Sequence, residues 1–265
     1  MKLTFLGTGD AFSLKLGHTS ALLEWGGENL VIDFPATNWP ALKRLGRDLQ
    51  DVKNVFITHL HEDHVNGLQQ LAHYRRIVGG QKPNLLISRE LADELWQTVK
   101  AGLAHTTSGP KRLEDYFEVI LLDRHFELGG AAFELIPTRH TPGMTSFGLL
   151  TEPYFFFTGD TSFDRELLAV HEQRVSRIFH DCHMWELEIP SHTSLAQLQT
   201  LPAELQKKLI LMHYQDGYAS EEARREAEEQ SGFCFARPLE PISFRPERDK
   251  DTKKPGAGGL RWNGM

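Results

Sequence analysis

The segment FITHLHEDHVNG (56–67) sets His59, His61, Asp63 and His64 within six positions, just after a short apolar run. Imidazole nitrogens and carboxylate oxygens are the ligands of zinc-type ions, and catalytic sites of that kind leave a coordination position open for water. His59 and His61, two apart in a loop leaving a strand, can point to one side. Asp63 and His64 follow a tight turn and could face a second ion. Small structural zinc sites usually use cysteines, but the only two here, Cys182 and Cys234, lie far apart in the chain. Four further candidates close apolar runs: His140 after FELIPTR, Asp160 after YFFFTG, Asp181 after RIFH and His213 after LILM. Segments that end on one edge of a sheet bring such residues together. A lone strand-end histidine is more often structural; beside the local cluster that balance reverses.

The elements that must position these residues follow from the patterning. KLTFLG (2–7), TSALLEW (19–25) and NLVIDF (29–34) read as strands, with GGEN as a hairpin signal between the last two. Residues 37–49 carry apolar positions near one helical face, and VKNVFIT (52–58) is a buried strand running into the histidine cluster. The spacing then predicts a helix over 67–76, a strand over 84–88, a helix over 89–103, a loop around 105–110 and strands over 116–122 and 131–138. A hairpin over 146–160 turns near Glu152–Pro153. After it come a helix (164–173), a strand (175–181), a helix after Ser194, a strand (207–213) and a charged helix (220–230). Strands that first pair and then alternate with helices, twice over, predict two packed sheets flanked by helices in one α/β domain of two halves. That domain is expected over 1–244, followed by a polar tail over 245–265.

Composition narrows the classes. Hydrophobic residues make up 40% and charged residues 25% of the 265, as in ordinary soluble domains. No apolar run is long enough to span a bilayer, and MKLTFLGTGD lacks a signal-peptide pattern. Two cysteines build no disulfide framework, so a cytoplasmic location is expected. The net charge of −7 gives no basic footprint for a nucleic-acid duplex. The tail interleaves its basic residues with acids and reads as solvated rather than as a nucleic-acid arm.

In order along the chain, THLHEDH, RHTPG, FTGDT and LMHY together resemble the hydrolases of the metallo-β-lactamase superfamily, over about residues 1–235. The resemblance implies a four-layer αββα sandwich of two mixed sheets flanked by helices, and two divalent metal ions, Zn2+ or Mn2+. It implies that His59, His61 and His140 bind one ion, that Asp63, His64 and His213 bind the other, and that Asp160 bridges both. Two divalent cations, two aspartates and a bridging hydroxide leave a net positive site, which suits an anionic phosphodiester. Asp33, in VIDFP, keeps the position of a residue that hydrogen-bonds a metal ligand. Pro35 stands where that family has glycine and stiffens the turn. GTG (7–9) lacks the third glycine of a dinucleotide fingerprint and reads as a turn near the site.

HDCHMWELEIPSHTS (180–194) is similar to the tRNase Z-like phosphodiesterase branch. That similarity implies that His192 protonates the leaving oxygen and that Asp181, where the branch has Glu, orients it and raises its pKa. His192 otherwise reads as a polar loop residue beside the helix after Ser194. Enzymes of the branch that mature tRNA carry a long arm between the positions of His140 and Asp160; a short hairpin fills that interval here, so a small phosphodiester is preferred over tRNA. LTFLGTGDAF, LEDYF, RIFHDC and KKLILMHY are similar to the cyclic-nucleotide-degrading members, the anti-Pycsar type included. These cleave 3′,5′-cyclic nucleotides to monophosphates and imply a homodimer. The alternatives are an RNA 3′-end endonuclease, a hydrolase of an ester, lactam or thioester, and a metal-stabilised nucleotide sensor without turnover. His18 reads first as a polar loop residue and second as a substrate contact. Cys182 reads as a small strand-end hydrophobe, and Tyr116 and Phe117 as core.

Overall fold

In the computed structural model, strand β1 (Lys2–Gly7) pairs antiparallel with β2 (Ser20–Trp25), setting Leu3 opposite Leu23. β2 returns through Gly26 and Gly27, both at positive φ, into β3 (Glu28–Ile32). Two residues of that conformation suit the right-handed twist of a hairpin, and glycine adopts it without steric cost. Helix α1 (Asn38–Arg44) leads to β4 (Asn54–Phe56); the short α2 (Glu62–Val65) and α3 (Leu68–Val78) lead to β5 (Asn84–Ser88). Helix α4 (Ala92–Leu103) and a two-stranded ribbon, β6 (His105–Thr106) with β7 (Gly109–Pro110), then lead to β8 (Glu118–Leu122). β3, β4, β5 and β8 are parallel neighbours.

The second half opens with an antiparallel meander: β9 (His125–Leu128), β10 (Ala131–Pro137), β11 (Phe147–Thr151) and β12 (Phe155–Phe157). It continues through α5 (Arg165–His171), β13 (Arg177–Asp181), α6 (Leu195–Leu198), α7 (Ala203–Gln206), β14 (Leu209–Met212), α8 (Glu221–Ser231) and β15 (Cys234–Phe235), with β12 to β15 parallel. A last strand, β16 (Pro241–Ser243), crosses back to pair with β1. The result is two seven-stranded mixed sheets, ordered β16-β1-β2-β3-β4-β5-β8 and β15-β14-β13-β12-β11-β10-β9. The structure describes residues 1–244, and the expected tail over 245–265 lies outside them.

The sheets meet over an aromatic core. Phe5 of the first sheet packs edge-on against Phe179 of the second, with ring centroids 5.3 Å apart. Phe155, Phe156 and Phe157 are all fully buried, because β12 is covered on both faces. A second apolar cluster, including Leu168, Ile178, Leu198, Leu205 and Phe233, fills the space between the outer face of the second sheet and its helices. The expected four-layer αββα sandwich is therefore the observed one. Tyr116 and Phe117 are buried in the core, the former donating its hydroxyl proton to Leu103 O at 2.8 Å. Among the described residues, no helix is long and apolar enough to cross a membrane.

Three local expectations differ. The helix expected over 37–49 stops at Arg44: Gly46 turns at φ 71, and Arg47 N bonds back to Leu42 O, a glycine-dependent helix stop. The loop around 105–110 contains the β6–β7 ribbon. β9, β15 and β16 are strands the apolar patterning did not single out, being short and partly exposed.

Candidate metal centre

The C-terminal ends of β3, β4, β10, β12, β13 and β14 deliver polar side chains to one rim of the sandwich. The anchor is Asp33, immediately after β3, at φ 58. Aspartate is among the few residues besides glycine that tolerate this region. Its Oδ1 accepts from Thr58 N at 2.8 Å, and its Oδ2 accepts from Thr58 Oγ1 and from His64 Nδ1, each at 2.7 Å. Thr58 Oγ1 in turn accepts from His59 Nδ1 at 3.0 Å, and Ser191 O accepts from His140 Nδ1 at 2.7 Å. With Nδ1–H engaged, His59 and His140 each present Nε2 as a lone pair, and His64 would do so on giving up its second proton to an ion, the arrangement that orients imidazoles for metal binding.

Backbone contacts lock the loop that carries the cluster. Phe34 N donates to His64 O at 2.8 Å, and Gly67 N donates to Phe34 O at 2.9 Å. A Cβ on Gly67 would stand 2.6 Å from Pro35 C and O, so no side chain fits there. Gly67→Ala is expected to destabilise the protein by roughly 2–3 kcal/mol. The melting temperature should then fall by about 4–12 °C, read by calorimetry; an unchanged value would mean that the turn yields freely. Across the cleft, Gly159 at φ 63 turns the chain out of β12 beside Thr58 and swings Asp160 into the site.

All seven residues expected as ligands converge. His59, His61, His140 and Asp160 form one group and Asp63, His64, Asp160 and His213 another, the donor atoms within each group lying within 4.8 Å of one another. Asp160 belongs to both. Its Oδ2 lies 3.1 Å from His213 Nε2, 3.3 Å from His64 Nε2 and 3.8 Å from His59 Nε2. His140 Nε2 and His61 Nδ1 are 2.9 Å apart. His59 Nε2, His64 Nε2, His213 Nε2, Asp63 Oδ2 and Asp160 Oδ1 are buried without a hydrogen-bond partner among the described residues. Leaving so many polar atoms unpaired is costly. These nitrogen and oxygen donors fit divalent ions of the zinc type.

The protonation preferences divide the cluster. Burial, reinforced by the neighbouring His64, holds His59 well below the ordinary histidine pKa. Burial also lowers His61 and His140, so this group is neutral, as a ligand must be. Burial would lower His64 too, but Asp160, Asp63 and Asp33 outweigh it and push His64 well above the usual range. Conversely, burial would raise Asp160, and His213 and His64 overcome it to hold the carboxyl well below the usual range.

A third grouping, Asp181, His192 and His213, adjoins the second. Asp181 is fully buried at the end of β13. Its Oδ2 accepts from His192 Nδ1 at 3.0 Å and from Thr161 N at 3.1 Å, and its Oδ1 lies 3.4 Å from His213 Nδ1. The aspartate, although one methylene shorter than glutamate, reaches both rings. His192 stacks on His213 at 4.9 Å and 13° and meets His140 edge-on at 4.8 Å. Burial would raise Asp181, but His192 and His213 bring it down to about 2; burial would lower His192, but Asp181 raises it.

His18 is half-buried, its pKa lowered by burial against the pull of Asp63, and it belongs to none of the three groupings. Its backbone N donates to Thr37 Oγ1 at 3.1 Å. Cys182 lies outside all three groupings, fully buried in the second apolar cluster, and burial pushes its thiol well above the usual range. The GTG turn does lie at the site: Thr8 O accepts from His213 N at 2.8 Å. Sequence reasoning overlooked the supporting contacts of Thr58, Thr161 and Ser191, which involve hydroxyl or backbone atoms with no spacing signature.

Two mixed sheets packed face to face, with this histidine–aspartate cluster on one rim, define a metal-dependent hydrolase of the metallo-β-lactamase fold. Solved structures share that fold: a diphosphatase from the PhnP family superposes with a TM-score of 0.73 at 18% identity, covering 92% of this chain and 98% of its own. The metallo-β-lactamase fold protein YhfI from Bacillus subtilis gives 0.69 at 15% identity, covering 91% and 98%. The chain belongs to the family of anti-Pycsar protein Apyc1, whose model matches residues 1–237. The anti-Pycsar protein Apyc1 of Paenibacillus harenae is 38% identical over 221 residues, 82% of this chain and 90% of that relative.

Proposed function

We propose that this protein is a phosphodiesterase that uses two divalent ions, Zn2+ or Mn2+, to hydrolyse 3′,5′-cyclic nucleotides to monophosphates. The observation that carries the reading is the buried Asp181–His192 pair, set against two ligand groups that share Asp160. In this reading His59, His61 and His140 hold one ion, Asp63, His64 and His213 the other, and Asp160 both. Bound there, the ions would supply Lewis acidity toward a phosphoryl oxygen and lower the pKa of a water. Asp181 fixes His192 through Nδ1, so the other ring nitrogen is free to carry a proton to the leaving oxygen. His18 is in this reading a second contact for the substrate.

The interval between His140 and Asp160 supports a small substrate. It holds β11, β12 and their short turns, with no arm to grip a folded RNA. The name anti-Pycsar protein, carried by relatives, and the resemblance to cyclic-nucleotide-degrading members support the same substrate class. Incubating the metal-loaded protein with a panel of 3′,5′-cyclic nucleotides tests it; no turnover of any, with ions bound, would overturn it, as would preference for a tRNA precursor. His192→Ala is expected to lower kcat by about 10²–10⁴-fold while leaving metal content unchanged. Wild-type kcat in that variant would remove His192 from the reaction. The reading includes a homodimer in the cytoplasm, so light scattering should give about twice the 30.2 kDa chain mass.

A further inference from the structure

His183 plays no part in the arrangement described so far, yet its environment is unusual. It is only 2% exposed, and neither ring nitrogen finds a hydrogen-bond partner among the described residues. Its backbone is pinned, its N donating to Thr193 O at 2.8 Å and its O accepting from Leu195 N at 3.2 Å. The ring faces Trp185, with centroids 6.0 Å apart. His183 lines a cavity of about 260 Å³ together with His192, Ser162, Phe163, Glu188 and Gln197. A buried imidazole without partners costs about 1–3 kcal/mol, and such groups normally have one. At a cavity wall, a ligand can be that partner.

The chemistry of the partner can be narrowed. The cavity is smaller than the roughly 300–1,000 Å³ of pockets that enclose a drug-sized ligand, so it takes one moiety of a substrate. Glu188 on the same wall disfavours an anion. Burial lowers the pKa of His183 despite Asp181, so the ring is neutral. One nitrogen then donates and the other accepts, and a hydroxyl can meet either.

We propose that His183 hydrogen-bonds the 2′-hydroxyl of the substrate's ribose and makes the enzyme selective for ribonucleotides. The inference rests on the cyclic-nucleotide reading. In that reaction water adds to phosphorus, the bond from phosphorus to O3′ breaks, and the proton on His192 passes to O3′, giving a 5′-monophosphate. His192 and His183 share one cavity wall, and the carbon next to the one bearing O3′ carries the 2′-hydroxyl. In the proposed pose, a group seated with its 3′-oxygen at His192 turns that hydroxyl along the shared wall toward His183.

The test compares kcat/KM for a ribo and a 2′-deoxy 3′,5′-cyclic nucleotide of whichever base turns over best in the panel, using the metal-loaded full chain. The wild type should favour the ribo form by about 10-fold, the effect of one buried hydrogen bond. His183→Leu should bring the ratio to within about twofold of unity, and His183→Gln, which keeps a donor and an acceptor, should restore part of it. The ratio is taken within one preparation, so a partly unfolded variant does not distort it. A wild type with no preference, a His183→Leu variant that keeps the full preference, or a 3′-monophosphate product would each overturn the assignment. Failure of the panel as a whole would instead overturn the phosphodiesterase reading.

Discussion

Asp160→Ala is expected to lower kcat/KM for a cyclic nucleotide by more than about 10³-fold and to reduce bound metal. The reason is its shared position: it is the only residue common to the two four-residue groups. Losing an outer partner of a metal ligand costs roughly 10–100-fold, whereas removing this carboxylate withdraws a negative donor from both groups at once. It would also leave the imidazoles of His64 and His213 beside one fewer counter-charge in a buried place. Breaking a buried pair in this way costs about 3–5 kcal/mol, so the variant's folding should be checked by circular dichroism. Turnover within tenfold of wild type, with both ions retained, would sink the shared-ligand reading. Asp63→Ala should also lose turnover by orders of magnitude, but it alters only the second group, so metal at the first should persist.

Chelation should lower the melting temperature by about 10 °C. An ion bound at a thousandfold excess over its dissociation constant adds about 4 kcal/mol to folding stability, and a domain of this size shifts by about 2–4 °C per kcal/mol. The structural reason is the burial of Asp63, Asp160 and the histidine nitrogens without hydrogen-bond partners. Differential scanning calorimetry before and after chelator treatment, then after adding back Zn2+ or Mn2+, reads the effect. Identical melting curves would mean that the cluster holds no ion tightly.

Much of this was legible in the sequence because the chemistry-bearing residues coincide with strand ends. THLHEDH sits where β4 leaves the sheet, FTGDT where β12 does, and LMHY where β14 does, so apolar runs that predicted strands also predicted the rim. Asp33 was recognisable by its place after VI, and the structure adds that it holds both His64 and, through Thr58, His59. The elements that escaped are short and partly exposed, so they carry little apolar signal. β16 spans three residues beginning with proline, and its pairing with β1 is fixed by register with a strand at the other end of the chain. His183 escaped for a related reason: a histidine beside a strand end resembles a core or loop residue until its unpaired nitrogens and the adjoining cavity are seen.

The division of the histidine–aspartate cluster between the two sheets bears on how the protein is made. His59, His61, Asp63 and His64 follow β4 of the first sheet, whereas His140, Asp160 and His213 follow strands of the second. At translation speeds of about 5–20 residues per second, His213 emerges roughly 8–31 s after His59. Until then the chain lacks the residue that completes the second group, although Asp160 has already emerged. Both groups are complete only once the two sheets have docked, so in the proposed reading tight ion binding would require a chain folded through β14.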